Sequence, residues 1–496
     1  MTECARPAVS WPIVTDPESA DPAAFRRSAF RPAADPRARP GATAGDLLEL
    51  DIGPVAHGGW CVARHDGRVV FVRHTLPGER VKARVTDETK SFLRADAVEI
   101  LNTSPDRVPA PCPFAGPGRC GGCDWQHVAP AAQRRLKAAV IEEQLKRLAG
   151  IERSVTVEEI PMPDAAVLTP PGLGWRTRVQ FSVRGDGAIG LRRHRSHEIE
   201  PIDACLIAHP EVERLGVERK RWPGVTGVAV IVSAGTGDRV VVLSERRDRR
   251  GDGGRGGRGG RGGRGGRSGG SGGRARAAAL PRLDVPVRLV RGRPEPGRGL
   301  PYVRESVAGR LWQVSGDGFW QVHPGAAQVL ADAVLAALRP KAGDIAVDLY
   351  CGAGLFAGVL GERIGSAGLV VGVESDAQAV HDARFNLRDL PHVSIEHGKV
   401  EDVLDAIEFG VAGGGKVERA DLVVLDPPRT GAGRTVVDRI AKLAGRRVAY
   451  VSCDPATLAR DLAYFGERGW TLDELRAFDA FPMTHHVEIL AVLVRA

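Results

Sequence analysis

From Asp46 onward, apolar and polar residues alternate in short runs: Leu47-Leu48-Glu49-Leu50-Asp51-Ile52, Gly59-Trp60-Cys61-Val62-Ala63, Val69-Val70-Phe71-Val72, Glu79 to Val85 and Ala95 to Leu101. Gly, Pro or Asp separate the runs. A period of two between turn residues predicts five short strands, and their density predicts a small antiparallel barrel over residues 44–103. Residues 1–43 are rich in Pro, Ala and Arg without any period, and read as a disordered tail. After the barrel, Leu136, Val140, Leu145 and Leu148 share one helical face, with Gly150 as the stop signal. Strand candidates at Arg178 to Val183, Val228 to Val232, Val240 to Leu243 and Leu311 to Val314 give a mixed α+β central region over 104–325. From about residue 326 the texture changes again. Fully apolar strands at Ile345 to Tyr350, Leu369 to Glu374, Val393 to Ile395, Asp421 to Leu425 and Arg447 to Val451 alternate with helical patterns. This predicts a doubly wound, Rossmann-like α/β sheet over 326–496. Leu475 to Phe478 and Val487 to Val494 predict a closing pair of strands.

Composition refines this outline. A length of 496 residues accommodates about three domains. No stretch approaches the ~20 apolar residues of a membrane helix, and the N-terminus lacks a signal pattern, so a cytoplasmic, monomeric, membrane-free protein is expected. In such a compartment the sequon Asn102-Thr103-Ser104 is uninformative, and the eight cysteines read as ligands or reactive thiols, not as a disulfide framework. The net charge of +8 is local: residues 246–276 hold eleven arginines against Asp248 and Asp252, so the rest of the chain sums to −1. Arg255, Arg258, Arg261, Arg264 and Arg267 repeat every third position among glycines, which predicts a disordered cationic insertion at about 246–279. A solvated tether and an RNA-contacting tract suit that composition equally.

Candidate chemistry sits at strand ends, where open parallel sheets bind ligands. The strand ending at Val451 runs into Ser452-Cys453-Asp454-Pro455, and the one ending at Leu425 into Asp426-Pro427-Pro428-Arg429. Cys453 reads either as a nucleophile or as a small packing residue. Asp348-Leu349-Tyr350-Cys351-Gly352-Ala353-Gly354-Leu355-Phe356 turns a strand through a glycine loop into a helix, and Glu374 ends the next strand where an acid meets ribose hydroxyls. The acidic Asp348 suits a cationic amino-acid cofactor. Cys112 and Cys120-Gly121-Gly122-Cys123 form a cysteine cluster.

These motifs, with His486-Val487-Glu488, occur in the order seen in the RNA 5-methyluridine (uracil-C5) methyltransferase family, which the chain resembles over roughly residues 44–496 apart from the insertion. The resemblance implies a class I methyltransferase sheet, an OB-like TRAM barrel that binds RNA, and S-adenosyl-L-methionine as cofactor. It implies methylation of C5 of a uridine in rRNA or tRNA through a Cys453–C6 adduct, with Glu488 removing the C5 proton. It also points to Gln321, Tyr350, Glu374 and Asp426 as cofactor contacts. Cys112, Cys120, Cys123 and Cys205 correspond to the ligands of a [4Fe-4S] cluster, although spacing alone does not distinguish it from zinc. Two positions depart from relatives: Leu355 follows the glycine loop, and Gly398-Lys399 follows the third strand. Cys351 reads as packing beneath the cofactor, and His485 and His486 as surface or RNA-contacting residues. Three other readings compete: an amino-group methyltransferase, a radical iron–sulfur enzyme, and an RNA-binding or chaperone-like protein with a vestigial methyltransferase fold. The first lacks its aromatic residue at Arg429, the second its Cys-x3-Cys-x2-Cys, and intact Cys453, Glu488 and Asp426 oppose the third.

Overall fold

The first five strands form where the alternation places them. In the computed structural model they are β1 (Leu47–Asp51), β2 (Cys61–His65), β3 (Arg68–Arg73), β4 (Arg80–Glu88) and β5 (Phe92–Asn102), in the order β1-β4-β5-β3-β2. The expected antiparallel barrel is corrected at one pair: β3 runs parallel to β5, because the long β4–β5 hairpin returns beside β3 in the same direction. The structure describes residues 42–163, 169–245, 280–283, 288–291, 302–316, 318–404, 409–411, 415–417 and 419–496. Most of the N-terminal tail and the whole 246–279 insertion lie outside the described residues. Leu48, Leu50, Val70, Val72, Val81, Ala83, Leu93 and Ala95 point inward as one apolar cluster. Just past β1 the chain closes on β2, where Gly53 N donates to Val62 O (2.8 Å) and Val62 N donates to Pro54 O (2.9 Å). A Cβ on Gly53 would stand 2.8 Å from Val62 O, so only glycine permits that approach.

The central region comprises α1 (Pro130–Gln144) with a π turn at Leu145–Ala149, β6 (Val157–Glu159), β7 (Arg178–Val183), β8 (Ile189–Arg192) and β9 (Ile199–Pro201). It continues through α2 (Pro210–Glu213), β10 (Val225–Val232), β11 (Arg239–Glu245) and β12 (Arg288–Arg291). Its sheet runs β12-β11-β10-β7-β8-β9, antiparallel except at β11–β12. A hairpin of β13 (Tyr302–Val307) and β14 (Arg310–Ser315) follows.

The C-terminal part comprises α3 (Ala326–Leu338), β15 (Ile345–Leu349), α4 (Leu355–Ile364), β16 (Leu369–Glu374), α5 (Ala377–Asn386), β17 (Val393–His397), α6 (Val400–Val403), and a small hairpin of β18 (Phe409–Val411) and β19 (Gly415–Val417). After these come β20 (Ala420–Leu425), α7 (Gly433–Leu443), β21 (Ala444–Ser452), α8 (Pro455–Gly466), β22 (Trp470–Asp479) and β23 (Glu488–Arg495). The eight-stranded sheet runs β17-β16-β15-β20-β21-β23-β22-β6. From β17 to β21 it is parallel, while β23 is antiparallel to both neighbours. Ala346, Val370 and Val424 pack beneath α3, α4 and α5, whereas Val347, Val371 and Val423 pack beneath α7 and α8. Successive residues face opposite sides, so a sheet covered on both faces needs the uniformly apolar strands seen in the sequence. Among the described residues no helix is long and apolar enough to cross a membrane.

Two features differ from the single-faced expectation for α1 and from a self-contained central region. Leu136 and Val140 of α1 pack on the barrel core, while Ala138, Ile141 and Leu145 pack on the C-terminal sheet. The helix therefore has two buried faces. β6 also adds to the far edge of the C-terminal sheet, parallel to β22. Between the two faces, Lys137 is fully buried and donates to Asp479 Oδ1 (2.5 Å) and Phe481 O (3.0 Å). Breaking one side of a buried ion pair leaves the other charge uncompensated. Lys137→Met is expected to destabilise the chain by about 3–5 kcal/mol in denaturant titration, and adding Asp479→Leu to restore part of that loss. A single variant as stable as the parent would show that the pair contributes nothing.

Candidate active site

Three strand ends meet at one sheet edge. Cys453 is the residue after β21, Glu488 opens β23, and Asp426 follows β20. Strands β21 and β23 pair antiparallel with Ser452 opposite Ile489, so continuing the register by one residue brings Cys453 opposite Glu488. Asp426 N donates to Leu349 O (3.3 Å), which fixes the Asp426-Pro427-Pro428 turn against the end of β15.

The electrostatics of the group follow from burial. Desolvation pushes the Asp426 carboxyl up to about 7. Burial, and then the charge of Asp426, hold the Glu488 carboxyl well above the usual carboxylate range, opposed by Arg429. The Cys453 thiol is raised by burial first and by Glu488 next, with Asp426 and Asp454 adding and Arg429 opposing. Two carboxyls that cannot both ionise cheaply thus share a site with a protonated thiol and one guanidinium. Arg429 Nη2 donates to His486 Nε2 (3.4 Å), and burial keeps that imidazole neutral.

Supporting contacts hold these strand ends. Asp454 Oδ1 accepts from Ala456 N (3.0 Å) and Thr457 N (2.9 Å) and so caps α8, whose first residue is Pro455. From the same helix, Asp461 Oδ2 accepts from Ala432 N (2.8 Å), Gly433 N (3.1 Å) and Tyr450 Oη (2.8 Å), which anchors the loop after Arg429. The loop leading into β23 is held from the N-terminal half. Gln133 Oε1 accepts from Met483 N (2.7 Å), and Trp125 N donates to Met483 O (3.0 Å). Asp124 Oδ2 lies 2.6 Å from His485 Nδ1. Although burial alone would raise Asp124, that imidazole and Arg73 hold its carboxyl far below the usual range. His485 is half-buried and anchors this loop to Asp124, and the His486 ring lies tilted beside it with ring centroids 4.0 Å apart. Sequence reasoning missed Asp124, Tyr450 and Asp461. The one available signal was a lone acid on the apolar face of α8, between Leu458, Leu462 and Phe465.

The glycine loop adjoins this group. Asp348 Oδ2 accepts from Ala357 N (2.7 Å) at the start of α4, while its buried Oδ1 has no hydrogen-bond partner among the described residues. Burial lifts this carboxyl well above its ordinary range, and Asp426 and Glu374 add to the effect, so the loop and the strand ends share one field. Glu374 Oε2 accepts from Gly352 N (3.0 Å), and Oε1 from Ser375 N (2.6 Å) and Asp376 N (2.8 Å). Tyr350 adopts φ 63°, an unusual value for a non-glycine residue, and burial pushes its phenol up to about 12. Cys351 is buried against the neighbouring strand, where a Cβ on Gly372 would meet its Sγ at 3.1 Å. Gln321 is buried on a segment pinned by Arg178 Nη1 to Gly318 O (2.8 Å) and by Thr177 Oγ1 to Val322 O (3.0 Å). Of the expected cofactor contacts, Tyr350, Glu374 and Asp426 gather around the loop and its neighbouring strand end, while no hydrogen bond ties Gln321 to them. Where Gly398 departs from relatives, its N donates to Glu374 O (2.9 Å).

Cys112, Cys120, Cys123 and Cys205 line one cavity with Phe114, Leu191 and Ile202. Burial raises all four thiols, with Cys120 at about 11, and neighbouring thiols of the set add to the rise at Cys120, Cys123 and Cys205. Among the described residues, no three Cys, His, Asp or Glu side chains form a group of the kind that holds one metal ion. Gly121 lets the loop lie on the central sheet, since a Cβ there would meet His194 Cα at 2.8 Å.

The chain is similar to known proteins. The pattern of the tRNA (Uracil-5-)-methyltransferase family matches residues 306–496, and that of the TRAM domain residues 41–98. A Streptomyces coelicolor protein described as an uncharacterized RNA methyltransferase is 50% identical over 480 residues, which cover 93% of this chain and 96% of that protein. A Corynebacterium glutamicum protein of the same description is 33% identical over 461 residues, covering 91% and 97%. The crystal structure of Pyrococcus abyssi tRNA (uracil-54, C5)-methyltransferase in complex with S-adenosyl-L-homocysteine superposes with a TM-score of 0.61 at 22% identity. The match covers 90% of this chain and 100% of that one, and it places the present fold among class I methyltransferases.

The raised Glu488 carboxyl has a consequence for stability. The folded state keeps a proton that the unfolded chain releases above about pH 4.3, so this group costs stability progressively as pH rises beyond that value. Glu488→Gln removes the cost, and its Tm should exceed the parent's by more at pH 8 than at pH 5. An equal change at both pH values would mean that Glu488 is not titrating in a desolvated site.

Proposed function

The chain belongs to the tRNA (uracil-5-)-methyltransferase family of RNA methyltransferases, and on that premise we propose that it methylates C5 of a uridine in tRNA or rRNA, with Cys453 as nucleophile and Glu488 as base. The observation that carries this reading is the register that faces Cys453 with Glu488 beside Asp426 and the glycine loop.

S-adenosyl-L-methionine supplies an electrophilic methyl group on a sulfonium sulfur. The residues present fit it: the unpartnered Asp348 Oδ1 suits its amino group and Glu374 its ribose hydroxyls, with Tyr350 and Gln321 as flanking contacts. The charge of Asp426 acts on both Glu488 and Asp348, so it is felt at the methyl acceptor side and at the cofactor side alike.

C5 of uracil is too weak a nucleophile to take a methyl group unaided. Cys453 releases its thiol proton to solvent, bonds through Sγ as the thiolate to C6 and moves the C5=C6 electron pair toward O4, so that C5 becomes nucleophilic. Once the methyl group is on C5, Glu488 removes the C5 proton, the C5=C6 bond re-forms and the C6–Sγ electron pair returns to sulfur. A carboxylate raised by burial is a stronger base than an exposed one, which suits Glu488 to that step. C6 is unreachable inside a helix, so the target base must be extruded from its stack. RNA shape read by the TRAM domain and the central sheet then selects the uridine, and the arginine-glycine insertion adds sequence-independent phosphate contacts.

The four cysteines fit a [4Fe-4S] cluster as its ligands, because an all-thiol set with apolar walls is the donor chemistry such clusters use. Methyl transfer moves no electrons, so the proposed role is to hold the Cys112–Cys123 loop to the segment bearing Cys205.

Cys453→Ala is expected to lose methyl transfer to RNA while still binding S-adenosyl-L-methionine by calorimetry, and full activity would overturn the mechanism. Glu488→Gln should accumulate an RNA adduct at Cys453 that survives a denaturing gel; absence of any adduct would point to a different base. For the cluster, metal and sulfide analysis of anaerobically purified protein should give iron with matching sulfide, and Cys205→Ser should lose both together with visible absorbance. Zinc without sulfide would exclude the cluster.

A further inference from the structure

The loop between β1 and β2 leaves the barrel and reaches the edge that carries Cys453. Its His57 Nε2 stands 2.9 Å from Asp454 Oδ2. Asp454 is the residue after Cys453, and its other oxygen, Oδ1, is engaged by Ala456 N (3.0 Å) and Thr457 N (2.9 Å). One carboxylate therefore ties the first turn of α8 to the barrel. Burial alone would raise Asp454, but the hydrogen bond from His57 and its charge hold the carboxyl below its usual range.

The imidazole is delivered by a rigid turn. Ala56 N donates to Trp60 O (2.7 Å), Gly59 N to Ala56 O (3.2 Å), and Trp125 Nε1 to Gly59 O (3.1 Å). Gly59 lies flat on the loop that leads to Glu488: a Cβ there would meet His485 Cβ at 2.7 Å, and its φ of +80° independently favours glycine. The same barrel turn thus touches both strand ends, one through His57 and the other through Gly59.

We infer that His57 is a positioning residue for the nucleophile, fixing Asp454 and with it the start of α8 and the direction of Cys453, so that docking of the barrel completes the catalytic centre. The inference rests on the reading of Cys453 as nucleophile. A barrel that served only to bind RNA would need no contact with the residue after the nucleophile.

The test uses the full-length chain and two variants, His57→Ala and His57→Gln, the second keeping a donor near the position of Nε2. His57→Ala should lower kcat by about tenfold to a hundredfold, the effect of one lost hydrogen bond to a charged group, while KM for RNA stays within about twofold. His57→Gln should recover most of the rate. A kcat equal to the parent's, a loss confined to KM, or equal losses in both variants would overturn the inference. Hydrogen exchange gives a reading that needs no substrate. The peptide carrying the Ala456 and Thr457 amides should exchange faster in His57→Ala and return toward parental protection in His57→Gln, with the β16 peptide unchanged. Unchanged exchange at that peptide in His57→Ala would refute the positioning role, whereas a parent protein that delivers no methyl group to uridine C5 would refute only the function on which it rests.

Discussion

One reversed strand sets the geometry of this molecule. In a wholly parallel sheet every strand ends at one edge and begins at the other, so a residue at a strand end cannot face a residue at a neighbour's start. β23 runs antiparallel between β21 and β22, and its first residue therefore lies at the edge where β15, β20 and β21 end. Facing a thiol at one strand end with a carboxyl at another strand's start requires that reversal. The parallel half of the sheet supplies the glycine loop and Asp426, and the antiparallel strand supplies Glu488.

The reversal has a structural cost. A strand entered from the ligand edge needs a loop on that edge, in the path of substrate, and ordering such a loop takes roughly 1–2 kcal/mol per residue in backbone entropy. Met483 within it adopts φ 65°, a further penalty for a non-glycine residue. The N-terminal half offsets this. Both backbone groups of Met483 are bonded, to Gln133 and Trp125; Lys137 holds Phe481 O, and Asp124 holds His485. The helix α1, the cysteine loop and the barrel turn therefore act together as a frame for the segment that delivers Glu488. The two buried faces of α1 and the placement of β6 on the far edge of the C-terminal sheet follow from that role.

The same edge concentrates groups that folding would rather leave in water. Glu488, Asp426, Asp348 and the Cys453 thiol are all raised by burial, and Arg429 is the cation that opposes the rise at Glu488 and Cys453. A rigid scaffold is what allows such a cluster to persist, since its members repel one another once ionised. The extensive apolar packing on both faces of the sheet supplies that rigidity.

Much of this was legible in the chain. Period-two runs located the barrel strands, and uniformly apolar runs located the parallel sheet, because in each case burial on one or two faces dictates the residue pattern. Cys453, Glu488, Asp426 and the glycine loop were visible as motifs at strand ends. What stayed hidden were the long-range pairs: His57 with Asp454, Asp124 with His485, and Lys137 with Asp479, each joining residues more than 300 positions apart. No local period records such a pair, since either partner alone reads as an ordinary surface polar residue. Topology also accounts for where the arginine-glycine insertion is tolerated. The chain leaves β11 at Glu245 and returns as β12 at Arg288, parallel to β11 and at the edge of the six-stranded sheet. A parallel neighbour demands a crossover of at least a dozen residues whatever its composition, and lengthening a connection that must already be long adds only a logarithmic closure term. The opposite edge, β9, leads into the segment bearing Cys205, so the strands that flank the insertion, β11 and β12, lie at the end of the sheet farthest in strand order from that segment.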